Sequence, residues 1–307
     1  MLRPRALVPG DRIAVVAPAS AFDRLQFEAG IGELRALGFD PVYDDTVFSR
    51  QRYLAGAPAL RAAAIHAAWA DPSIAGIIGV RGGWGSAQLL PLLDRRLARE
   101  ARKVFIGYSD VTSLLTFHTL GCGIVSFHGP MLVGRLGRGD AGYDRRSFIR
   151  AISCAEPLGE LAPEGLEAFR PGEASGVLVG GTLTQLLASL GTPFAFEPPE
   201  GSVLLLEDVA ERPYRLDRMI TQARQAGWFA RARAIVLGEM PQCDEPNGGL
   251  TAREVLAELF ADFPGPVIFG FPTGHAAGPA YTLPLGVTCR VVAGNRPRLI
   301  VEDAAVS

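Results

Sequence analysis

The sequence predicts an α/β protein whose N-terminal half is a doubly wound, mostly parallel sheet and whose C-terminal half is a second α+β or α/β domain. Three observations lead there. Short apolar runs alternate with longer stretches of helical period. The runs are apolar on both faces, as strands covered by helices on both sides must be. A stretch rich in Gly, Arg, Pro and Glu interrupts the rhythm in mid-chain. The expected division is therefore 1–133 for the first domain, 134–173 for a linker with one short helix, and 174–307 for the second.

The first-half strands are expected at "RIAVVAP" (12–18), "DPVYDD" (40–45), "AGIIGVRG" (75–82), "KVFIGYS" (103–109) and "GIVSFHGP" (123–130). Between them, "FDRLQFEAGIGELRALGF" places Leu25, Ile31, Leu34 and Leu37 near helical spacing, and Gly38 ends it. "ALRAAAIHAAWADP" is Ala-rich and stops before Pro72; "SAQLLPLLD" and "DVTSLLTFHTLG" complete the helices. In a sheet of this kind the ligand binds beyond the carboxyl ends of the strands. The second half repeats the alternation with "GVLVGG", "SVLLLED", "ARAIVLGEM" and "PVIFGFPTG", and closes on two strands around "AGNRP".

With 307 residues, 48% of them hydrophobic and 20% charged, the chain can bury a large core. A net charge of −2 carries no footprint for nucleic acid. Cys122, Cys154, Cys243 and Cys289 are widely spaced and form no CxxC pair, so they read as free thiols and no metal site is expected. The N-terminal stretch has no apolar signal-like core, and no uncharged apolar run reaches the ~20 residues of a membrane helix. A cytoplasmic protein is expected.

Four strand ends carry chemistry. In "VRGGWGS" (80–86), Gly82, Gly83 and Gly85 let the backbone approach a ligand and expose N–H groups; the alternative is a tight βα turn. The spacing fits neither a P-loop nor GxGxxG. In "GYSDVTS", Ser109 is either the cap of the next helix or a nucleophile lifted at a strand-to-helix turn, with helix N–H groups ready for an oxyanion. The GxSxG elbow is absent, because Val111 stands in place of the second Gly. In "LLLEDVAERPYRLDRMI" (204–220), Glu207 ends an apolar strand and suits the orientation of a histidine better than the helical Glu211 or Asp217. In "GFPTGHAAGPAYTLPLG" (270–286), His275 lies in a Gly/Pro loop after a strand, and His128 competes with it; His66 and His118 fall within helices as packing positions. The order Ser109, Glu207, His275 is one that Ser–His–acid triads adopt.

Taken together, "RGGWG", "GYSDVT", "HGPM", "LLLEDVAERPYRLDRM" and "PTGHAAGPAYTLPLG" resemble the LD-carboxypeptidase family of serine peptidases over nearly the whole chain. The resemblance implies a Rossmann-like N-terminal domain, a swivelling β/α-type C-terminal domain and often a homodimer. It implies amide hydrolysis by a Ser–Glu–His triad without metal or cofactor. Residue by residue, Ser109 falls on the nucleophile, Glu207 on the acid and His275 on the base. Backbone N–H groups of Asp110 and Gly83 fall on the oxyanion hole, and Arg81, Gly82 and Trp84 lie beside the substrate. Two residues depart from the family pattern. Thr182 replaces the usual asparagine at a position expected to affect loop packing and not the triad, and Trp84 replaces a tyrosine.

One branch of the family removes terminal D-alanine from cytoplasmic murein tetrapeptide in cell-wall recycling. The other resembles the microcin C immunity protein and cleaves aminoacyl-nucleotide amides, with a longer chain and an aromatic loop that stacks on the base. The stretch 134–173 holds Tyr143, Phe148 and Phe169 but no Trp, and the chain is short, which favours the murein branch. A carboxypeptidase needs a cation or N–H nest for the terminal carboxylate, for which Arg81, Arg212 and Arg215 are candidates. A non-catalytic protein that binds an anionic ligand at the glycine turn is an alternative from another class; loss of a triad member would support it, and none is lost. A nucleotide-dependent Rossmann enzyme would need the phosphate-loop spacing that is missing.

Overall fold

The computed structural model describes all 307 residues. The chain folds into two compact units. The first comprises residues 1–156, 278–286 and 304–307; the second comprises 157–277 and 287–303.

The first unit holds β1 (Arg12–Val16), α1 (Arg24–Ala36), β2 (Asp40–Val42), α2 (Pro58–Ala70), β3 (Ile74–Gly79), α3 (Arg95–Ala101), β4 (Val104–Gly107), α4 (Thr112–Thr116), β5 (Ser126–His128) and α5 (Arg145–Ser153). β1 to β5 are parallel in the order β5-β4-β3-β1-β2. The order reverses between β1 and β3, and sheets of this kind bind ligands beyond the carboxyl ends of the strands at such a reversal. The sheet is apolar because both faces are covered: Ile13, Ile77, Ile78, Val104, Ile106 and Phe127 are fully buried. The expected helix over 86–94 is a 3₁₀ segment, Ser86–Leu92, with Pro91 inside it. A proline there removes a helical N–H donor.

The stretch 134–173, expected as a linker, is folded. Leu136, Tyr143 and Phe148 are buried in the first unit, and the Tyr143 hydroxyl donates to Glu33 Oε1 at 2.5 Å. Asp144 caps α5 by accepting from Ser147 N at 2.6 Å. The second unit starts with β6 (Pro157–Leu161), β7 (Glu167–Arg170) and β8 (Gly172–Thr182). Gly and Arg content suggested a linker, but three large side chains in this stretch found a core to fill.

The second unit continues with α6 (Leu183–Ala188), β9 (Ser202–Glu207), α7 (Pro213–Gln225), α8 (Trp228–Arg231), β10 (Ala232–Gly238), α9 (Ala252–Leu259) and β11 (Val267–Phe271). The chain then returns to the first unit for β12 (Leu283–Leu285), which pairs antiparallel with β5, before β13 (Thr288–Ala293) and β14 (Arg298–Ala304). The second sheet runs β6-β14-β13-β8-β9-β10-β11-β7. Its centre, β8 to β11, is parallel. β13 and β14 form the antiparallel pair expected around "AGNRP". All six residues of β9 are buried, so the strand is held on both faces up to Glu207.

Candidate active site

In the first unit, the chain leaves β4 at Gly107, runs extended through Tyr108, and turns at Ser109, whose φ is +59°. A left-handed conformation at a non-glycine residue costs roughly 1–2 kcal/mol. It is tolerated where surrounding structure fixes the turn, and it lifts the serine off the strand axis. Ser109 is not the helix cap: a 3₁₀ turn, Ser109–Val111, precedes α4, and neither carries a side-chain cap.

Gly82 packs directly against this serine. A Cβ at Gly82 would lie 2.8 Å from Ser109 Cβ, 2.9 Å from its Oγ and 3.2 Å from Asp110 N, so only glycine fits. The turn is held from several sides. Ser20 N donates to Gly82 O at 3.3 Å, and Ser20 Oγ accepts from Trp84 N at 3.1 Å. The buried Asp110 carboxylate accepts from Ser86 N at 2.8 Å and Gly85 N at 3.3 Å. Burial pushes this carboxyl above its ordinary range despite those bonds. Asp110 thus points its side chain into the glycine loop and leaves its main chain at Ser109. Trp84 is 40% exposed. Arg81 is exposed and donates to Ala21 O at 3.0 Å, with no acidic partner.

In the second unit, Glu207 ends β9 with its carboxylate buried, and His275 lies in the loop after β11. His275 Nδ1 is 2.8 Å from Glu207 Oε2, and His275 N donates to the same oxygen at 2.9 Å. The carboxylate can only accept, so Nδ1 carries the hydrogen and Nε2 is left as the basic nitrogen. Gly274 makes the contact possible. Its φ is +59°, and a Cβ there would fall 2.5 Å from the Glu207 carboxyl carbon. Glu239, at the end of β10, accepts from Ala277 N at 2.6 Å and pins the loop a second time.

Thr182 corrects an expectation. Placed by its sequence context as a loop-packing position away from the triad, it donates its hydroxyl to Glu207 Oε1. The reason is register: Thr182 ends β8 directly opposite Glu207 on parallel β9. The neighbouring Asp208 points elsewhere, accepting from Thr184 N at 2.8 Å and Thr184 Oγ1 at 2.7 Å. Burial, and then the charge of Glu207, push Asp208 up to about 6.

The other candidates are occupied structurally. Arg212 is paired with Glu245, and Arg215 with Glu211 at 3.4 Å. His118 is buried and held on the low side, at about 4, with Nδ1 2.8 Å from Leu114 O. His66 Nε2 accepts from Asp94 N at 3.1 Å, and His128 is buried within β5. Sequence reading missed Ser20, Glu239 and the buried Arg61. Their roles arise from contacts between segments distant in sequence, and no local motif marks them.

Residues 13–129 match the LD-carboxypeptidase N-terminal domain, and residues 175–291 match the LD-carboxypeptidase C-terminal domain. The chain belongs to the LD-carboxypeptidase family. It is a serine-type peptidase, a hydrolase acting on peptide bonds. A Streptomyces coelicolor protein bearing a carboxypeptidase name is 39% identical over 293 residues, covering 94% of this chain and 92% of that protein. The murein tetrapeptide carboxypeptidase of Pseudomonas aeruginosa is 34% identical over 297 residues, covering 94% of each. A solved structure of the self-immunity protein MccF in complex with glutamyl sulfamoyl guanosine superposes with a TM-score of 0.90 at 25% identity, covering 100% of both chains.

Two outcomes follow from this geometry. Gly82→Ala should lower kcat by about 10²-fold through the clash with Ser109, while the thermal midpoint shifts by only a few degrees. Wild-type turnover in this variant would show that the close approach is dispensable. Asp208 gives a pH signature. Its folded value lies above the ordinary 3.8, so the stability it contributes is complete below about pH 3.8 and is lost as pH rises to about 6. Denaturant titrations of wild type against Asp208→Asn should therefore show the wild type losing up to about 3 kcal/mol relative to the variant across that window. A pH-independent difference would contradict the assignment.

Proposed function

We propose that this chain is a cytoplasmic LD-carboxypeptidase that releases terminal D-alanine from murein tetrapeptide in cell-wall recycling, acting as a homodimer. The observation that carries the substrate is the 34% identity, over 94% of each chain, to a protein named for that activity. Four free cysteines are in keeping with a reducing compartment.

In this reading Ser109 is the nucleophile, His275 the base and Glu207 the residue that orients it. Ser109 Oγ attacks the carbonyl of the L-centre while His275 Nε2 takes its proton. The Glu207 carboxylate holds Nδ1–H and stabilises the imidazolium that forms. N–H groups of Asp110 and Gly83 receive the developing oxyanion. Collapse breaks the C–N bond, and His275 passes its proton to the departing D-alanine nitrogen. Water, deprotonated by the same Nε2, then attacks the acyl-serine ester and frees the tripeptide. Arg81, an exposed arginine beside the glycine turn with no carboxylate partner, is the candidate cation for the substrate's terminal carboxylate. Trp84, exposed on the same turn, lies against the peptide.

A second reading has its own support. The fold likeness to MccF bound to an aminoacyl-sulfamoyl nucleoside covers both chains fully. The same triad would then cleave an aminoacyl-nucleotide amide.

Ser109→Ala and His275→Ala should each lower kcat by about 10³-fold or more with folding intact, and the double variant should lose little beyond either, because the two act as a unit. Near-normal turnover after Ser109→Ala would refute the nucleophile, and a larger loss from His128→Ala would refute the base. The substrate is decided by mass spectrometry of parallel incubations with murein tetrapeptide, its C-terminal amide, and an aminoacyl-sulfamoyl adenosine. The free-acid peptide should lose D-alanine, the amide should be cut far more slowly, and the nucleoside should stay intact. Equal cleavage of acid and amide would remove carboxylate recognition and move the second reading ahead.

A further inference from the structure

Arg61 lies inside α2, in the Ala-rich stretch "ALRAAAIHAAW", yet its side chain is only 3% exposed. Its guanidinium makes four hydrogen bonds. Nη1 donates to Pro18 O at 2.5 Å and to Gly85 O at 2.8 Å, Nε donates to Gly56 O at 3.1 Å, and Nη2 donates to Gln88 Oε1 at 2.6 Å. All four acceptors are neutral. A buried cation held by neutral groups is an expensive way to join loops, since burial of charge is opposed by several kcal/mol. A substitution of convenience would have been apolar. The counter-charge felt by Arg61 is that of Asp110, which is also buried.

The two charges meet on one residue. The N–H of Gly85 donates to the Asp110 carboxylate, and the C=O of Gly85 accepts from Arg61. Gly85 is therefore gripped on both polar groups, by an anion adjacent in sequence to Ser109 and by a cation anchored to the end of β1. Ser86 adds a further bond, N–H to the same carboxylate, and its hydroxyl donates to Asp110 O. Three segments are tied through this residue: the turn after β1, the glycine turn after β3 and the serine turn after β4. These border the β1/β3 reversal point, where the first unit's ligand crevice lies.

We infer that Arg61 is a positioning residue, which through Gly85 and Asp110 sets the spacing between Ser109 Oγ and the N–H groups of the Gly82 and Gly83 turn. The inference rests on the reading of Ser109 as nucleophile. The reason for spending a buried ion on this task is stiffness. Oxyanion donors work only if already aimed at the oxygen's transition-state position, and a fork with several fixed bonds holds a loop more closely than apolar packing can.

Arg61→Lys tests it, because an ammonium keeps the charge but cannot reach four acceptors from one point. The measurements are kcat and KM with murein tetrapeptide, the inactivation rate by a fluorophosphonate, and the thermal midpoint. The fluorophosphonate reports serine reactivity and needs the same N–H donors without the peptide's binding contacts. In folded Arg61→Lys, kcat and the inactivation rate should both fall by about 10²-fold while KM stays within about threefold. A kcat within about threefold of wild type, or a loss confined to KM, overturns the inference. Should Arg61→Lys fail to fold, Asp110→Asn decides by the same criteria, since an amide can satisfy only one of the two N–H donors of Gly85 and Ser86. An active Ser109→Ala protein would sink the nucleophile reading itself. An inactive Ser109→Ala beside a fully active Arg61→Lys would sink only the clamp.

Discussion

The buried carboxylate of Glu207 is the constraint on which the second unit is organised. An ionised carboxylate out of water must have its lone pairs occupied, or the fold loses several kcal/mol. Here Thr182 Oγ1, His275 N and His275 Nδ1 supply the hydrogens. Each donor imposes something on the chain. Thr182 requires β8 and β9 to end in register. The two bonds from His275 require the loop after β11 to fold back onto Glu207, so closely that a Cβ at Gly274 would collide with the carboxylate. The same bonds fix the histidine tautomer. Satisfaction of one acid therefore sets sheet register, loop path and proton placement together.

The first unit solves a different problem with related means. Its strands place serine and glycine turns at their carboxyl ends, but turns by themselves are loose. The Ser109 backbone is held in an unfavourable region, and glycine is packed against it without a Cβ's width to spare. Beside it, two buried groups of opposite charge bond the Gly85–Ser86 peptide unit, Arg61 at the Gly85 C=O and Asp110 at the Ser86 N–H. In both units a buried polar group, hydrogen-bonded on several sides, fixes the path of the loops at the strand ends.

The sequence was legible where chemistry and geometry are both local. Apolar runs marked the parallel strands β1, β3 to β5 and β9 to β11, which are buried on both faces, while β6, β7 and β12 went unmarked. Ser109, Glu207 and His275 stood out because each ends or follows an apolar run within a recognisable motif, and the last two lie in contact, with His275 Nδ1 2.8 Å from Glu207 Oε2. The stretch 134–173 was misjudged because Gly and Arg are loop formers on average, while Tyr143 and Phe148 decide the outcome by filling a core that is built by other segments. Thr182 was misjudged because its partner lies 25 residues on, across a parallel ladder. Arg61 was invisible, because an arginine in an Ala-rich helix reads as a solvated side chain until the loops around it are known.

The strand β12 has an implication for how this molecule is made. It belongs to the first unit, yet it comes from residues 283–285, after nearly all of the second unit has been synthesised. Residues 304–307 join the same unit later still, with Ser307 N donating to Pro4 O and Ala6 N donating to Ser307 O. On the ribosome, the unit begun first is thus finished last. Until then β5 stands as an open sheet edge with unpaired main-chain groups, the kind of surface on which chains join each other instead of themselves. The same order means that no fragment ending before residue 285 contains a complete first sheet.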